Sequence, residues 1–168
     1  MKALFISGSS AKQSSNKDLL VGISRLNTIL DVEFAPHLSS LPLYSEDDDK
    51  SSVPEIVSLF RRQIKQSECI IISTPEYLHN IPATLKSSLE WLKKDGLTAK
   101  KVIPICYTPK EPRGEKALES LVNTLLALEA SVVCKIRLFH QDVCMDKNGN
   151  LLPSVGKEII TESIALLR

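Results

Sequence analysis

The chain has 168 residues, 43% of them hydrophobic and 24% charged, a balance that suits one globular domain over residues 1–168, able to bury a core without metal or disulfide staples. Its 21 basic and 20 acidic residues, for a formal net charge of +1, are mixed along the chain and form no basic stripe of the kind that follows a phosphate backbone, so nucleic acid is not an expected partner. No stretch approaches the roughly 20 apolar residues that span a bilayer, and MKALFISGSS lacks the apolar core of a signal sequence, so no membrane partner and a cytoplasmic location are expected.

In chain order, KALFIS (residues 2–7) is short and nearly continuously apolar, as strands buried on both faces are. Residues 17–30 carry helical periodicity. DVEFAP (31–36) alternates, Val32 and Phe34 standing beside Asp31 and Glu33, and is read as a half-exposed edge strand. EDDDK (46–50) has consecutive carboxylates without a glycine-turned loop, and is read as a solvated segment ahead of a helix over 53–65 rather than as a divalent-metal site. ECIIIS (68–73), KVIPICY (101–107) and SVVCKI (131–136) repeat the buried-strand pattern, and helices over 82–93, 115–128 and 155–167 alternate with them.

The pattern βαβαβαβαβα is that of an open α/β sheet with helices on both faces. An edge second strand fits a flavodoxin-like three-layer α/β/α fold, a five-stranded parallel sheet of order 2-1-3-4-5. Such sheets bind ligands outside the carboxyl ends of the strands, at the switch between strands one and three.

The loops at that end carry the chemistry. GSSAKQSSN (8–16) is rich in Gly and Ser ahead of a helix, so it is either a capped Ser-rich turn or a cradle offering N–H groups, hydroxyls and the positive helix end to a phosphate. It is neither G-x-G-x-x-G nor a P-loop. In TPEY (74–77), Pro75 and Tyr77 can wall a flat ring; alternatively Tyr77 is a surface aromatic and Glu76 caps a helix or pairs with a lysine. Pro82 suits the first turn of the helix that follows.

G-S-x-x-x-x-S-x-N at 8–16, L-P-L-Y at 41–44 and T-P-E-Y-x-x-x-I-P-x-x-L-K-x-x-L-E-W at 74–91 together resemble the NADPH-dependent FMN reductase family, which includes quinone, azo-dye and chromate reductases. The resemblance implies FMN and NAD(P)H as cofactors. It puts the FMN phosphate on Ser9, Ser14 and Asn16, beside Lys12 and Ser15, and the isoalloxazine against Pro75, Glu76, Tyr77 and Leu78. Further ring contacts fall near Thr108, Arg113 and Gly114, and Glu76 serves through its backbone amide and by fixing the loop. The implied activity is ping-pong electron transfer from NAD(P)H through flavin to free flavin, a quinone or another small electrophile. A non-catalytic flavin or phosphate-ligand binding module, or a flavodoxin-type carrier, is the alternative. No catalytic side chain is expected, because the cofactor carries the chemistry.

The chain also departs from the family, whose members usually carry Arg at the position of Ala11, Asn at that of Leu78, Gly at that of Ala83, and a glycine-rich loop where this sequence has TPKEPRGEKA (108–117). Lys12 can substitute for the arginine, with a less rigid grip than a bidentate fork. Lys110 and Arg113 either narrow the site or supply charge for the nicotinamide cofactor's phosphates.

Cys69, Cys106 and Cys134 sit in apolar runs and read as packing; with Cys144 they show no C-x-x-C spacing, so neither metal nor disulfide is assigned. His37, His79 and His140 are widely separated and read as solvated surface. On the helix opened by Pro82, Leu85, Leu89 and Leu92 face the sheet, while Thr84, Ser88 and Trp91 make a second line. An exposed Trp91 on that line reads as the centre of a homodimer or homotetramer contact, with packing under a loop of its own subunit as the alternative.

Overall fold

Side chains along a strand point alternately to opposite faces, and that period sorts the apolar residues into two cores. The computed structural model describes residues 1–26, 29–93 and 96–168. Strands β1 (Lys2–Ser7), β3 (Cys69–Thr74) and β4 (Lys101–Thr108) make the centre of a parallel sheet, with β2 (Asp31–Phe34) beside β1. Two short strands, β5 (Ser131–Val132) and β6 (Ile136–Phe139), pair in succession with the far side of β4. The order β2-β1-β3-β4-β5 is the expected one.

Leu4, Ile6, Ile70, Ile72, Val102 and Cys106 fall in one core, under α3 (Glu55–Gln66), α4 (Ala83–Glu90) and α5 (Glu115–Ala127). Ala3, Phe5, Cys69, Ile71, Ile103, Ile105 and Tyr107 fall in the other, under α1 (Ser15–Ser24) and α6 (Val155–Ala165). These are the three layers of a flavodoxin-like domain. Cys69 and Cys106 are buried, Cys134 is half-buried and Cys144 is exposed. The helix expected over 17–30 is seen at Ser15–Ser24; positions 27 and 28 of that span lie outside the described residues.

The fifth strand is not the continuous run 131–136 that the sequence suggests, and Pro104 gives the reason. Val133 N–H donates to the Val102 carbonyl at 3.0 Å, so the even-numbered positions of β4 turn their polar groups toward β5 and β6. Pro104 is the next such position and has no N–H to offer. The partner strand answers with one extra residue: Val102 is opposite Val132, but Ile105 is opposite Ile136. The bulge lets a proline sit inside a strand that is paired on both sides.

A second correction concerns EDDDK, which is helical: it forms α2 (Glu46–Ser51), its N-terminus capped by the Ser45 hydroxyl, which accepts from Asp48 N–H at 3.2 Å. The acidic first turn suits the positive helix end. Most of α2 is exposed, as expected, but Asp49 turns inward and binds Arg61 at 2.7 Å and Lys93 at 3.3 Å.

Trp91 is the third. It is 0% exposed, so the exposed, interface-centred position expected from the helix period is not where it lies. The segment 41–44 folds back over the outer line of α4: Tyr44 N–H donates to Ser87 Oγ at 2.7 Å, and Trp91 Nε1–H to the Pro42 carbonyl at 2.9 Å. The Tyr44 ring meets the indole edge-on at 5.1 Å, and the Arg61 guanidinium stands 5.8 Å from its centroid. The helical projection omitted this loop, which covers the line from within the same subunit.

Candidate active site

Three loops leave the carboxyl ends of β1, β3 and β4 and meet above the centre of the sheet. The first begins at Gly8, whose N–H donates to the Ser73 carbonyl at 2.8 Å. A side chain there has no room, because a Cβ would meet Leu85 Cδ2 and Thr74 Oγ1 at 2.8 Å each; glycine brings this loop down against β3. Ser9 is buried and its hydroxyl accepts from Ala11 N–H at 3.3 Å. His37, from the segment after β2, braces the loop through Nε2, 3.4 Å from the Ala11 carbonyl, while its Nδ1 lies 2.6 Å from Ser39 Oγ. Ala11 and Lys12 are exposed at the crest.

The loop ends at Ser14, the N-cap of α1. Ser14 is only 8% exposed, yet its hydroxyl does not cap the helix, whereas Ser45 and Ser154 cap α2 and α6 through theirs. The first turn of α1, from half-buried Ser15 onward, therefore keeps its N–H groups for another acceptor. Asn16 behaves differently from the rest of the expected set. It is 2% exposed and its amide is engaged: Nδ2 donates to the Tyr107 carbonyl at 3.2 Å and Oδ1 accepts from Ser73 Oγ at 2.7 Å. Its side chain straps the ends of β3 and β4 together, leaving its backbone N–H as what it offers to an anion.

The second loop is the expected ledge, and its carboxylate has a structural role. Glu76 Oε2 accepts from Gly114 N–H at 3.0 Å and from Ala117 N–H at 3.1 Å. Gly114 is the N-cap of α5 and Ala117 its third residue, so one carboxylate from a neighbouring loop does what both halves of a capping box do. Of the two roles weighed for Glu76, helix capping is the one realised. Half-buried Pro75 and exposed Tyr77 follow β3 directly. Leu78 and His79 form a two-residue turn at φ 49° and 61°, closed by a pair of hydrogen bonds between Tyr77 and Asn80 of 2.8 and 2.9 Å. Asn80, which the sequence reading passed over, accepts from Ile81 N–H and from Ser120 Oγ of α5 at 2.8 and 2.6 Å. An asparagine two residues before a proline was the available signal.

The third loop runs from buried Thr108 past exposed Lys110 and Arg113 to Gly114, at φ 103°. Thr108 Oγ1 donates to the Arg113 carbonyl at 3.4 Å. The Cys106 thiol lies beneath Gly114, where burial, with the Glu76 charge adding, pushes it up to about 12, so it is no thiolate nucleophile at neutral pH. Of the histidines, His79 lies 3.7 Å from Glu76 Oε1 and His140 packs against the Tyr107 ring at 4.9 Å. The residues brought together thus offer N–H groups, hydroxyls and an apolar ledge, and form no nucleophile–base pair.

A profile of the NADPH-dependent FMN reductase family matches residues 1–142. The chain belongs to that family. It is 38% identical over 106 residues to the NADH:(hydroxy)cinnamate reductase subunit CrdA of Vibrio ruber, a match covering 61% of this chain and 52% of CrdA. The chain thus spans about half the length of that relative. It is 26% identical over 174 residues to an NAD(P)H-dependent FMN reductase of Pseudomonas aeruginosa, a match covering 100% of this chain and 94% of that one. Among solved structures, FerB, a flavoenzyme NAD(P)H:(acceptor) oxidoreductase of Paracoccus denitrificans, superposes with a TM-score of 0.82 at 20% identity, covering 99% and 94% of the two chains, which shows a common fold.

The flavin that the family implies fits the donor set of this member. A phosphate needs free N–H groups at a positive helix end and small hydroxyls around them, and the first turn of α1 supplies both.

Proposed function

We propose that the protein is an FMN-dependent NAD(P)H oxidoreductase that delivers electrons to free flavin, a quinone or another small electrophilic acceptor. The observation that carries this reading is the α1 N-terminus, left uncapped by Ser14 at the crevice where the three loops meet. The relatives named as an NAD(P)H-dependent FMN reductase and a 2-hydroxy-1,4-benzoquinone reductase support it.

FMN, when bound, would supply the redox chemistry, two-electron exchange between the nicotinamide and the acceptor. With a quinone the balance is NAD(P)H, one solvent proton and quinone giving NAD(P)⁺ and hydroquinone. The chain's own part is to hold and screen. Ser9, Ser14 and Ser15, the Asn16 N–H and Lys12 would hold the phosphate; Pro75, Tyr77 and Leu78 would contact the ring, with Glu76 fixing their loop; and Thr108, Arg113 and Gly114 would supply further ring contacts. Arg113 and Lys110, exposed on the third loop, are suited to the phosphates of the nicotinamide cofactor.

The reading includes a cytoplasmic setting, where NAD(P)H is at hand, and a homodimer or homotetramer. Among the described residues no helix is long and apolar enough to cross a membrane. With Trp91 buried, support for pairing rests on Leu43, 72% exposed beside Tyr44. Purified protein titrated with FMN and then mixed with NADPH and a quinone tests the core of the proposal. A yellow protein that turns over is expected; one that stays colourless and leaves flavin fluorescence unchanged overturns it.

A further inference from the structure

The turn at Leu78 and His79 is built from the wrong residues for its shape. Two consecutive residues at positive φ, closed by the double hydrogen bond between Tyr77 and Asn80, form the kind of hairpin turn that takes Asn-Gly where nothing else decides. A branched side chain is held in that region at a cost of about 1–2 kcal/mol. The cost is enforced from both flanks, because Glu76 is tied to the first turn of α5 and Asn80 to Ser120 on the same helix.

Nothing inside the subunit offsets it. Leu78 is 99% exposed, so its side chain gains no packing in exchange for the strained backbone. Strain that surrounding contacts enforce, at a site where stability alone favours another residue, points to function. The hairpin springs from the carboxyl end of β3, the strand that lies between β1 and β4 in the sheet. Lys12 on the loop after β1 and Lys110 and Arg113 on the loop after β4 are exposed cations, and Tyr77 and Leu78 are exposed apolar residues of the loop after β3.

We propose that Leu78 is an acceptor-specificity residue, whose isobutyl group contacts a flat apolar acceptor of the quinone class as it enters over the cofactor, and so favours it over small hydrophilic anions. The proposal rests on the flavin-oxidoreductase reading above and adds a residue role to it.

The test uses FMN-loaded protein, wild type and Leu78→Asn, with menadione as the flat apolar probe and ferricyanide as the hydrophilic one. The oxidised enzyme cannot reduce menadione, so calorimetric titration reads its dissociation constant at equilibrium. In L78N, compared with wild type at saturating FMN, that constant should rise by about tenfold, as one apolar side-chain contact is lost, and by several-fold more than any change in the ferricyanide Michaelis constant. Relief of strain should raise the melting temperature by about 2–4 °C. Leu78→Met, which keeps an apolar side chain, should hold menadione within about threefold of wild type. An unchanged menadione constant in L78N overturns the proposal, as does an equal loss with both acceptors. Dissociation of an oligomer in L78N would make Leu78 a subunit contact and also overturn it. A wild type that binds no FMN defeats the functional reading itself, an outcome separate from all of these.

Discussion

Glu76 and Gly114 stand 38 positions apart in the chain and are joined by a 3.0 Å hydrogen bond from the glycine N–H to the carboxylate. Through this bond the ledge after β3 and the loop after β4 keep a fixed separation, since Gly114 has no side chain with which to cap its own helix. Glu76→Ala should leave two N–H groups of α5 unpaired and destabilise the protein by about 2 kcal/mol in urea unfolding. Glu76→Gln keeps an acceptor oxygen and should cost about half as much. FMN affinity should fall in the same order. A Glu76→Ala protein of wild-type stability would show that the cap is not what holds these loops.

The sequence was most legible where one physical rule decided the outcome. Ile70, Ile71 and Ile72 are buried whichever face they take, so continuous apolar runs mark central strands, and the alternation in 31–36 marks the edge. Pro104 hid the break in the last strand, because its effect falls on a different segment. The helix at 46–51 was within reach: Ser45 three residues before Asp48 is a capping signature, obscured by reading the acidic run as a block. At the site, loop identity was legible and side-chain duty was not. Whether Asn16 holds a phosphate or straps Ser73 to Tyr107, and whether Glu76 faces a ring or caps a helix, depends on partners 57 to 91 and 38 positions away.

Trp91 carries a structural duty that its neighbours define. Trp91→Phe keeps most of the packing but leaves the Pro42 carbonyl without its donor, and should cost about 1–2 kcal/mol. Trp91→Ala should cost about 3–5 kcal/mol, as expected for deleting a large buried aromatic. Because the indole is covered by its own subunit, sedimentation at micromolar concentration should give Trp91→Phe the same oligomeric state as wild type. A Phe variant that changes only its assembly would return the residue to a subunit interface.

Asp49 links α2 to α3 and to the end of α4, and its titration should be visible in stability. The hydrogen bond from Arg61, foremost, with Lys93 adding and burial opposing, holds its carboxyl below the usual carboxylate value. A folded-state value lowered in this way contributes stability that is fully present above the unfolded value of about 3.9 and is lost as pH falls through the lowered folded value. The difference in melting temperature between wild type and Asp49→Asn should therefore be flat from about pH 5 upward and shrink below about pH 4. A difference that persists undiminished at the acid end, or that changes instead around neutrality, would assign the effect to another group.

Ser14 and Ser154 occupy the same N-cap position on α1 and α6, both with extended backbone, and differ in what their hydroxyls do. Ser154 Oγ accepts from Lys157 N–H, so Ser154→Ala should destabilise the fold by about 1 kcal/mol and leave flavin binding alone. Ser14 makes no such bond. Ser14→Ala should therefore change stability by less than about 0.5 kcal/mol in the absence of flavin, while raising the FMN dissociation constant by about tenfold through the loss of one charge-assisted hydrogen bond. The two variants thus exchange effects: one is felt by the fold and the other by the cofactor. Denaturation of the apoprotein, followed by fluorescence titration with FMN and with riboflavin, separates them, because riboflavin lacks the phosphate and its weaker binding should not distinguish Ser14→Ala from wild type. An equal loss of affinity for both flavins would move Ser14 from the phosphate to the ring, and a destabilised Ser14→Ala apoprotein would make it an ordinary cap.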